Sequence, residues 1–232
     1  MRRRVPFVLA ASGAMLALAM PPTPAGATLR PGLEAHLGAA WNTPAPLTVR
    51  QVGQPDLSFT ARYETRAFEI PLYYVYRLLL LDAGGRGWSL DLVHHKLYLQ
   101  DPPREIGEFA VSHGYNLLVL SRLRAARAWH WGAGAGAVIT HPENTVRGRK
   151  LSENRGLFRD GYYVSGATLG VFAGRRLLLP GGLHVTGEAR ASLSWARVPI
   201  EGGNADVPNC ALHASLGLGW IRGAESQPAR AR

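Results

Sequence analysis

The residues best suited to chemistry form three short groups: His94, Lys96 and Tyr98; Ser112, His113, Tyr115 and Asn116; and Thr140, His141 and Glu143. Imidazoles together with a carboxylate can hold a divalent metal, and either group can act as acid or base near neutral pH. His94, Lys96, Tyr98, His113 and Asn116 are the candidate catalytic residues, and His94, His141 and Glu143 the candidate ligands of a divalent metal. Other motifs can be set aside. The glycines at 132, 134 and 136 lack the G-x-G-x-x-G spacing of a dinucleotide site, and leave space or permit bending instead. His141-Pro142-Glu143 is not the H-E-x-x-H of zinc proteases, and no G-x-S-x-G elbow occurs.

The groups gain meaning only if the intervening chain brings them together, and that chain alternates with period two, the mark of β-strands. From Phe109 one face carries Phe109, Val111, His113, Tyr115, Leu117 and Val119, and the other Ala110, Ser112, Gly114 and Asn116. From Trp129 the tryptophans, alanines and Ile139 share one face, while His130, the three glycines and Thr140 share the other. With Arg122 to Arg127 as the connection, this reads as a hairpin, apolar outside and small or polar inside. Lipid-facing and lumen-facing residues alternate in this way in transmembrane β-barrels, with aromatics gathered at the interfaces. On this phase His113 faces lipid, and His94, Lys96 and Tyr98 face the lumen, although Ser89 and Asp91 argue for the opposite phase of that strand.

The amino terminus fits export. Three arginines, an apolar run from Val5 to Met20 and Ala25-Gly26-Ala27 mark residues 1–27 as a signal peptide. No later stretch supplies about 18 uninterrupted apolar residues, so a helical membrane span is not expected. Removing three arginines and no acid from the formal net charge of +10 leaves +7 on 205 residues, enough for one domain. An exported basic chain is not expected to meet nucleic acid, but it lies near the phosphates of lipopolysaccharide. Cys210, the single cysteine, can form no intramolecular disulfide.

Further alternating segments cover Leu33–Trp41, Leu57–Arg66, Leu72–Leu81, Trp88–Leu99, Gly161–Leu178, Leu183–Ala196 and Asn209–Ile221. Treating Leu57 to Leu81 as one arm bent at Pro71 gives eight strands. The connections then alternate, with Asn42–Asp56, Gln100–Gly107, His141–Asp160 and Arg197–Pro208 long, and Asp82–Gly87, Arg122–Arg127 and Leu179–Gly182 short. Short periplasmic turns and long external loops are the rule for such barrels. The expected fold is therefore all-β, an eight-stranded antiparallel up-and-down transmembrane barrel over residues 28–221, followed by a disordered tail at 222–232. Side chains fill an interior of this size, so a general diffusion pore is not expected. Glu188 and Arg190 should form an internal ion-pair network. The three chemical groups fall at one outer rim.

Ser58-Phe59-Thr60-Ala61, Phe68 with Pro71, Tyr73-Tyr74 with Arg77, His94-x-Lys96-x-Tyr98, Phe109 with Gly114-x-Asn116-Leu117-Leu118, Gly132 to Gly136 and His141-x-Glu143 together resemble the small outer-membrane barrels described as lipid A oxidase-like. The resemblance covers about Ser58 to Glu143 and thins afterwards. It implies residence in the outer membrane of a Gram-negative cell, delivery by the barrel-assembly machinery, and lipid A or lipopolysaccharide as partner. It also implies oxygen-dependent oxidation of the proximal glucosamine of lipid A to an aminogluconate unit, with a divalent cation. His113 departs from the family, standing at an acidic position, and the basic tail replaces a terminal aromatic. Two other readings stay open. One is a lipid A deacylase, because His113 with Ser112 or Tyr115 resembles the His-x-Ser arrangement of those enzymes. The other is a non-enzymatic barrel that binds lipopolysaccharide or surfaces, or supports envelope integrity.

Overall fold

A computed structural model describes residues 28–152 and 154–223. The expected signal peptide and residues 224–232 of the expected tail lie outside the described residues. Twelve strands are present among them: β1 Arg30–Asn42, β2 Ala45–Gln51, β3 Leu57–Glu64, β4 Tyr74–Leu81, β5 Arg86–Gln100, β6 Ile106–Ala126, β7 Trp129–Thr140, β8 Glu143–Val146, β9 Arg149–Lys150, β10 Tyr163–Leu178, β11 Leu183–Ile200 and β12 Gly203–Ile221. Eight of them close a ring in the order β1, β4, β5, β6, β7, β10, β11, β12 and back to β1, all antiparallel. The first and last strands lie side by side from Gly32↔Ile221 to Asn42↔Ala211, so both ends of the described chain emerge at the short-turn end. The ring is the expected eight-stranded up-and-down barrel.

Its strands are assigned differently in five places, one of them His141–Asp160, expected as a loop, which contains β8 and β9. Leu57–Leu81 is not one arm: β3 pairs with β2 and β5, whereas β4 pairs with β1. Asn42–Asp56 is not a plain loop, because it contains β2. Together β2 and β3 form a hairpin beyond the ring that continues the wall between β12 and β5. Arg197–Pro208 is not a loop either: β11 and β12 run on to Ile200↔Gly203 and turn through Glu201 and Gly202, whose φ is 74°. Arg122–Arg127 belongs to β6 up to Ala126, with the turn following.

The interior has two storeys. Toward the turn end it is polar and ionic, centred on the fully buried Arg77. Its guanidinium donates to Asp91 Oδ1 at 2.8 Å, Glu188 Oε2 at 2.7 Å and Glu34 Oε2 at 2.9 Å. Arg190 bonds to Asp91 and Glu188, and Arg176 Nε to Glu34 at 2.8 Å. Three carboxylates thus face three guanidiniums, which removes the penalty of an unpaired buried charge. His130 and His184 reach Glu188 and Glu34 at 3.1 and 2.9 Å, and the Phe172 ring lies 4.2 Å from the Arg77 guanidinium. The expected pair Glu188 and Arg190 is therefore present, organised around Arg77.

Toward the loop end the interior is apolar. Leu47, Val49, Tyr63, Val93, Leu97, Phe109, Val111, Tyr115, Leu117, Val146, Val198 and Val207 pack there, most of them fully buried. This corrects the phase of two strands. The face Tyr115, Leu117 and Val119 of β6 points inward, and Leu118 and Leu120 point out. On β5, Ser89, Asp91, Val93, His95 and Leu97 point inward, so His94, Lys96 and Tyr98 belong to the outer face. The reason is that β6 has apolar residues on both faces, one for the apolar storey and one for the outer wall, so alternation alone cannot orient it.

The outer surface is an apolar belt that includes Leu33, Leu78, Leu90, Leu120, Leu169 and Leu216, with Trp88, Trp129 and Trp220 toward the turn end and Trp41 and Trp195 toward the loop end. That is the surface acyl chains wet. No helix among the described residues is long and apolar enough to cross a membrane. If Arg77 neutralises the ionic storey, Arg77→Ala should strand buried carboxylates and lower stability by about 3–5 kcal/mol. Urea titration of the folded barrel in lipid vesicles, read by tryptophan fluorescence, checks this; an unchanged midpoint contradicts it.

Candidate functional site

The candidate site exists because β6 leaves the regular ladder. His95 pairs with Tyr115 but Leu97 with Val111, so β6 uses two more residues than β5 over that interval. The other side agrees: Tyr115 pairs with Thr140 and Ala110 with Glu143, again two residues in excess. Residues Ser112, His113 and Gly114 therefore bulge out of the wall relative to both neighbours. Gly114 makes this feasible, with φ at 122° and only 2.2 Å between an added Cβ and Asn116 Nδ2. The backbone angle disfavours any side chain there, and a Cβ would push the Asn116 amide from its place beside His94. Bulges of this kind re-aim side chains, and here His113 leaves the inward parity of Val111 and Tyr115 and reaches the outside.

Outside the wall His113 meets residues brought by the chain after β7. His141 donates its backbone N–H to Gly114 O at 3.0 Å, and its ring lies 5.0 Å from that of His113. His113 Nδ1 contacts Glu143 Oε1 at 2.6 Å and Ser112 Oγ at 3.1 Å. One donor atom from each of His113, His141 and Glu143 falls within 4.8 Å of the others. His141 Nδ1 is buried with no protein partner. Two imidazoles and one carboxylate in this proximity fit a divalent transition metal, leaving further coordination positions to other ligands. The expected ligand set is thus altered: His141 and Glu143 are brought together, but with His113 in place of His94.

His94 lies beside this cluster. Its ring stacks on Tyr74 at 4.7 Å and its Nδ1 is 2.8 Å from Asn116 Oδ1. Because the amide oxygen accepts, Nδ1 carries the proton, and the buried, unpartnered Nε2 presents a lone pair. His94, Asn116 and His113, with Pro71, Tyr74, Leu92, Ile139 and Tyr162, line an open cavity of about 310 Å³ on the outer wall. Tyr162 also packs edge-on against His141 at 4.8 Å. Lys96 and Tyr98 do not line it. Lys96 Nζ donates to Glu69 O at 2.8 Å, and Arg66 lies 4.4 Å over the Tyr98 ring, so both fasten the 65–73 segment against the wall. Sequence reasoning missed Tyr74, Tyr162 and the bulge, for which Gly114 inside a strand was the available signal.

The arrangement bears on acyl transfer. Ser112 and Glu143 compete for the same nitrogen of His113, whereas a nucleophile and an orienting carboxylate need opposite nitrogens. Tyr115 points into the barrel and donates to Val207 O at 3.1 Å. Neither candidate nucleophile of a deacylase is in place.

No family model matches the chain, and no curated protein matches it. Among solved structures it is similar to the outer membrane protein AlkL in DMPC bilayers, at 13% identity over 91% of this chain and 98% of that one, with a TM-score of 0.48. It is also similar to Ail, the attachment invasion locus protein of Yersinia pestis, in complex with the heparin analogue sucrose octasulfate, at 11% identity over 83% and 98%, TM-score 0.40. A third is Neisserial surface protein A, at 8% identity over 83% and 96%, TM-score 0.38. The closed eight-stranded ring and its apolar outer belt establish the architecture of an outer-membrane β-barrel.

The bulge yields a direct test. Gly114→Ala should weaken binding of Co²⁺ to the folded barrel tenfold or more, whereas Gly107→Ala, where an added Cβ meets only Thr145 at 3.6 Å, should leave it unchanged. Cobalt absorption spectra report both; equal affinities in the two variants would contradict the role of the bulge.

Proposed function

We propose that this protein is an outer-membrane barrel that oxidises the proximal glucosamine of lipid A at the outer-leaflet rim. One observation carries the reading: the cluster of His113, His141 and Glu143 adjoins a cavity on the lipid-facing side of the wall, where a glycolipid headgroup can arrive laterally. The lumen is packed with side chains and offers no comparable route.

His113, His141 and Glu143 would hold a divalent metal, which supplies Lewis acidity toward a sugar oxygen and redox chemistry with dioxygen as oxidant. Tyr74 and Tyr162 provide flat walls for the pyranose. His94 Nε2 accepts the proton of the anomeric hydroxyl, and Asn116 fixes the tautomer that makes this feasible. Two electrons and two protons leave C1 and O1 in total. Dioxygen takes them and becomes hydrogen peroxide, while the lactone formed is opened by water to the aldonate. A free anomeric hydroxyl is required, so lipid A bearing a 1-phosphate is not a substrate.

Mass spectrometry of lipid A incubated aerobically with the reconstituted barrel tests this. A product one oxygen atom heavier is expected from 1-dephosphorylated lipid A. It should be lost in His113→Ala, His141→Ala and Glu143→Gln and on chelation, and reduced about 10²–10⁴-fold in His94→Gln. Unchanged lipid A under these conditions, with the glycolipid still bound, would instead make the protein a non-enzymatic lipopolysaccharide-binding barrel.

A further inference from the structure

The outer wall below the cavity carries a feature that the proposed chemistry does not use. The outward positions of β7 from Ile139 downward are Ala137, Ala135 and Ala133, of which Ala137 and Ala135 present methyl groups at the surface and Ala133 is already covered, 4% exposed. On one side Leu118 and Leu120 of β6 stand opposite Ala137 and Ala135. On the other, Leu169 and Val171 of β10 stand opposite Ala135 and Ala133. Gly136 on the inward face lets β7 lie close beside β6, an added Cβ there meeting Leu118 O at 1.8 Å, which brings the Leu118 and Leu120 flank against the alanines. The result is a trough bounded by Leu118 and Leu120 on one flank and by Leu169 and Val171 on the other, widening at the level of Ala137, where β10 presents Ala167. At its upper end Ile139 and Asn116, which are register partners, line the cavity. There the deeply buried His94, 4% exposed, offers an unpartnered Nε2 at the wall.

We propose that this trough seats one saturated acyl chain of the glycolipid whose headgroup enters the cavity. The inference rests on the reading of the barrel as a lipid A-modifying protein and adds what selects the substrate. Seven residues of strand, from Ile139 to Ala133, span about 20 Å, enough to follow a chain through one leaflet of a hydrocarbon core about 30 Å thick. Its walls are wholly apolar until Arg122, which stands opposite Ala133 with its guanidinium 5.0 Å from the Trp88 ring. An acyl chain laid there buries its methylenes against protein on three sides instead of one, and its sugar is held beside His94. The continuity of cavity and trough makes a lipid with a polar, hydroxyl-bearing head and a straight tail the occupant, in preference to a soluble sugar or a detached fatty acid.

The test uses the folded barrel in phosphatidylcholine vesicles with lipid A carrying a photoactivatable diazirine in mid-chain, and maps adducts by mass spectrometry. Adducts on Leu118, Leu120, Leu169, Ala135 and Ala137 should exceed those on Leu212 to Leu218, three strands away around the ring, at least fivefold. Ala135→Trp, which fills the trough from outside without entering the interior, should abolish the excess. Ala214→Trp, an outward position of β12, should preserve it. Heat-modifiable migration on gels confirms that both variants are folded. Adducts spread evenly around the belt, or an excess that survives Ala135→Trp, would overturn the proposal. The same preparations separate this from the enzymatic reading. An excess that Ala135→Trp abolishes, with lipid A left unoxidised, keeps the seat and removes the oxidase. Oxidation with even labelling removes the seat and keeps the oxidase.

Discussion

Closure of β1 on β12 is the constraint from which the other features follow. In hydrocarbon an unpaired backbone group costs several kcal/mol, so a sheet can stand there only without edges. Once the ring is closed, every regular position has two choices: the outer face, which must be apolar, or an interior about one side-chain layer across. Polar groups on regular positions are thereby driven inward. Arg77, Glu34, Asp91, Glu188, Arg190 and Arg176 meet in that space because they have no other place to go, and their balance of three against three keeps it stable.

His94 and Asn116 face outward from regular positions of β5 and β6 near the loop end, but the cluster of His113, His141 and Glu143 comes from departures from regularity. Here there are two. Residues Ser112 to Gly114 bulge from β6, and the chain after β7 breaks at His141-Pro142 before re-joining β6 as β8. The two irregularities face each other, and the histidines and glutamate of the candidate site lie on them. The segment 65–73 completes the enclosure from the other side, through Pro71, and is held by Lys96 and Arg66. Residues that looked chemical in the sequence therefore divide into those that form the site and those that fasten its cover.

The sequence made the strands and their number legible, because period-two alternation survives whatever a strand packs against. Facing was less legible. In β6, Leu117 and Leu118 are both apolar, one for the interior and one for the belt, and nothing local distinguishes them. The signal lay across strands: Arg77 and Asp91 are register partners, and two opposite charges on one face of paired strands must point away from lipid. The ends of β11 and β12 were obscured by Pro199 and Pro208, which read as loop. Pro199 lies beyond Ala196, where β10 stops pairing, and Pro208 lies between the stretches of β12 that bond to β1 and to β2, so neither lacks a ladder bond it would have made. The β2–β3 hairpin alternates as a membrane strand does, and only its pairing with β12 and β5 shows that it stands beyond the ring.

The position of the cavity also limits what kind of molecule can use it. Leu92 and Ile139 line the cavity together with His94, His113 and Asn116, so it offers apolar and polar surface side by side, with Leu92 one outward position nearer the belt than the row His94, Asn116 and Ile139. A soluble sugar would bury its hydroxyls against Leu92 and Ile139 without compensation, and a hydrocarbon would leave Asn116 and His94 desolvated and unpaired. Only an amphiphile oriented as the outer leaflet orients its own lipids satisfies both ends at once. A lipid of the outer leaflet would meet such a site already oriented by the bilayer, which would lower the ordering cost of binding and let a shallow, open site suffice.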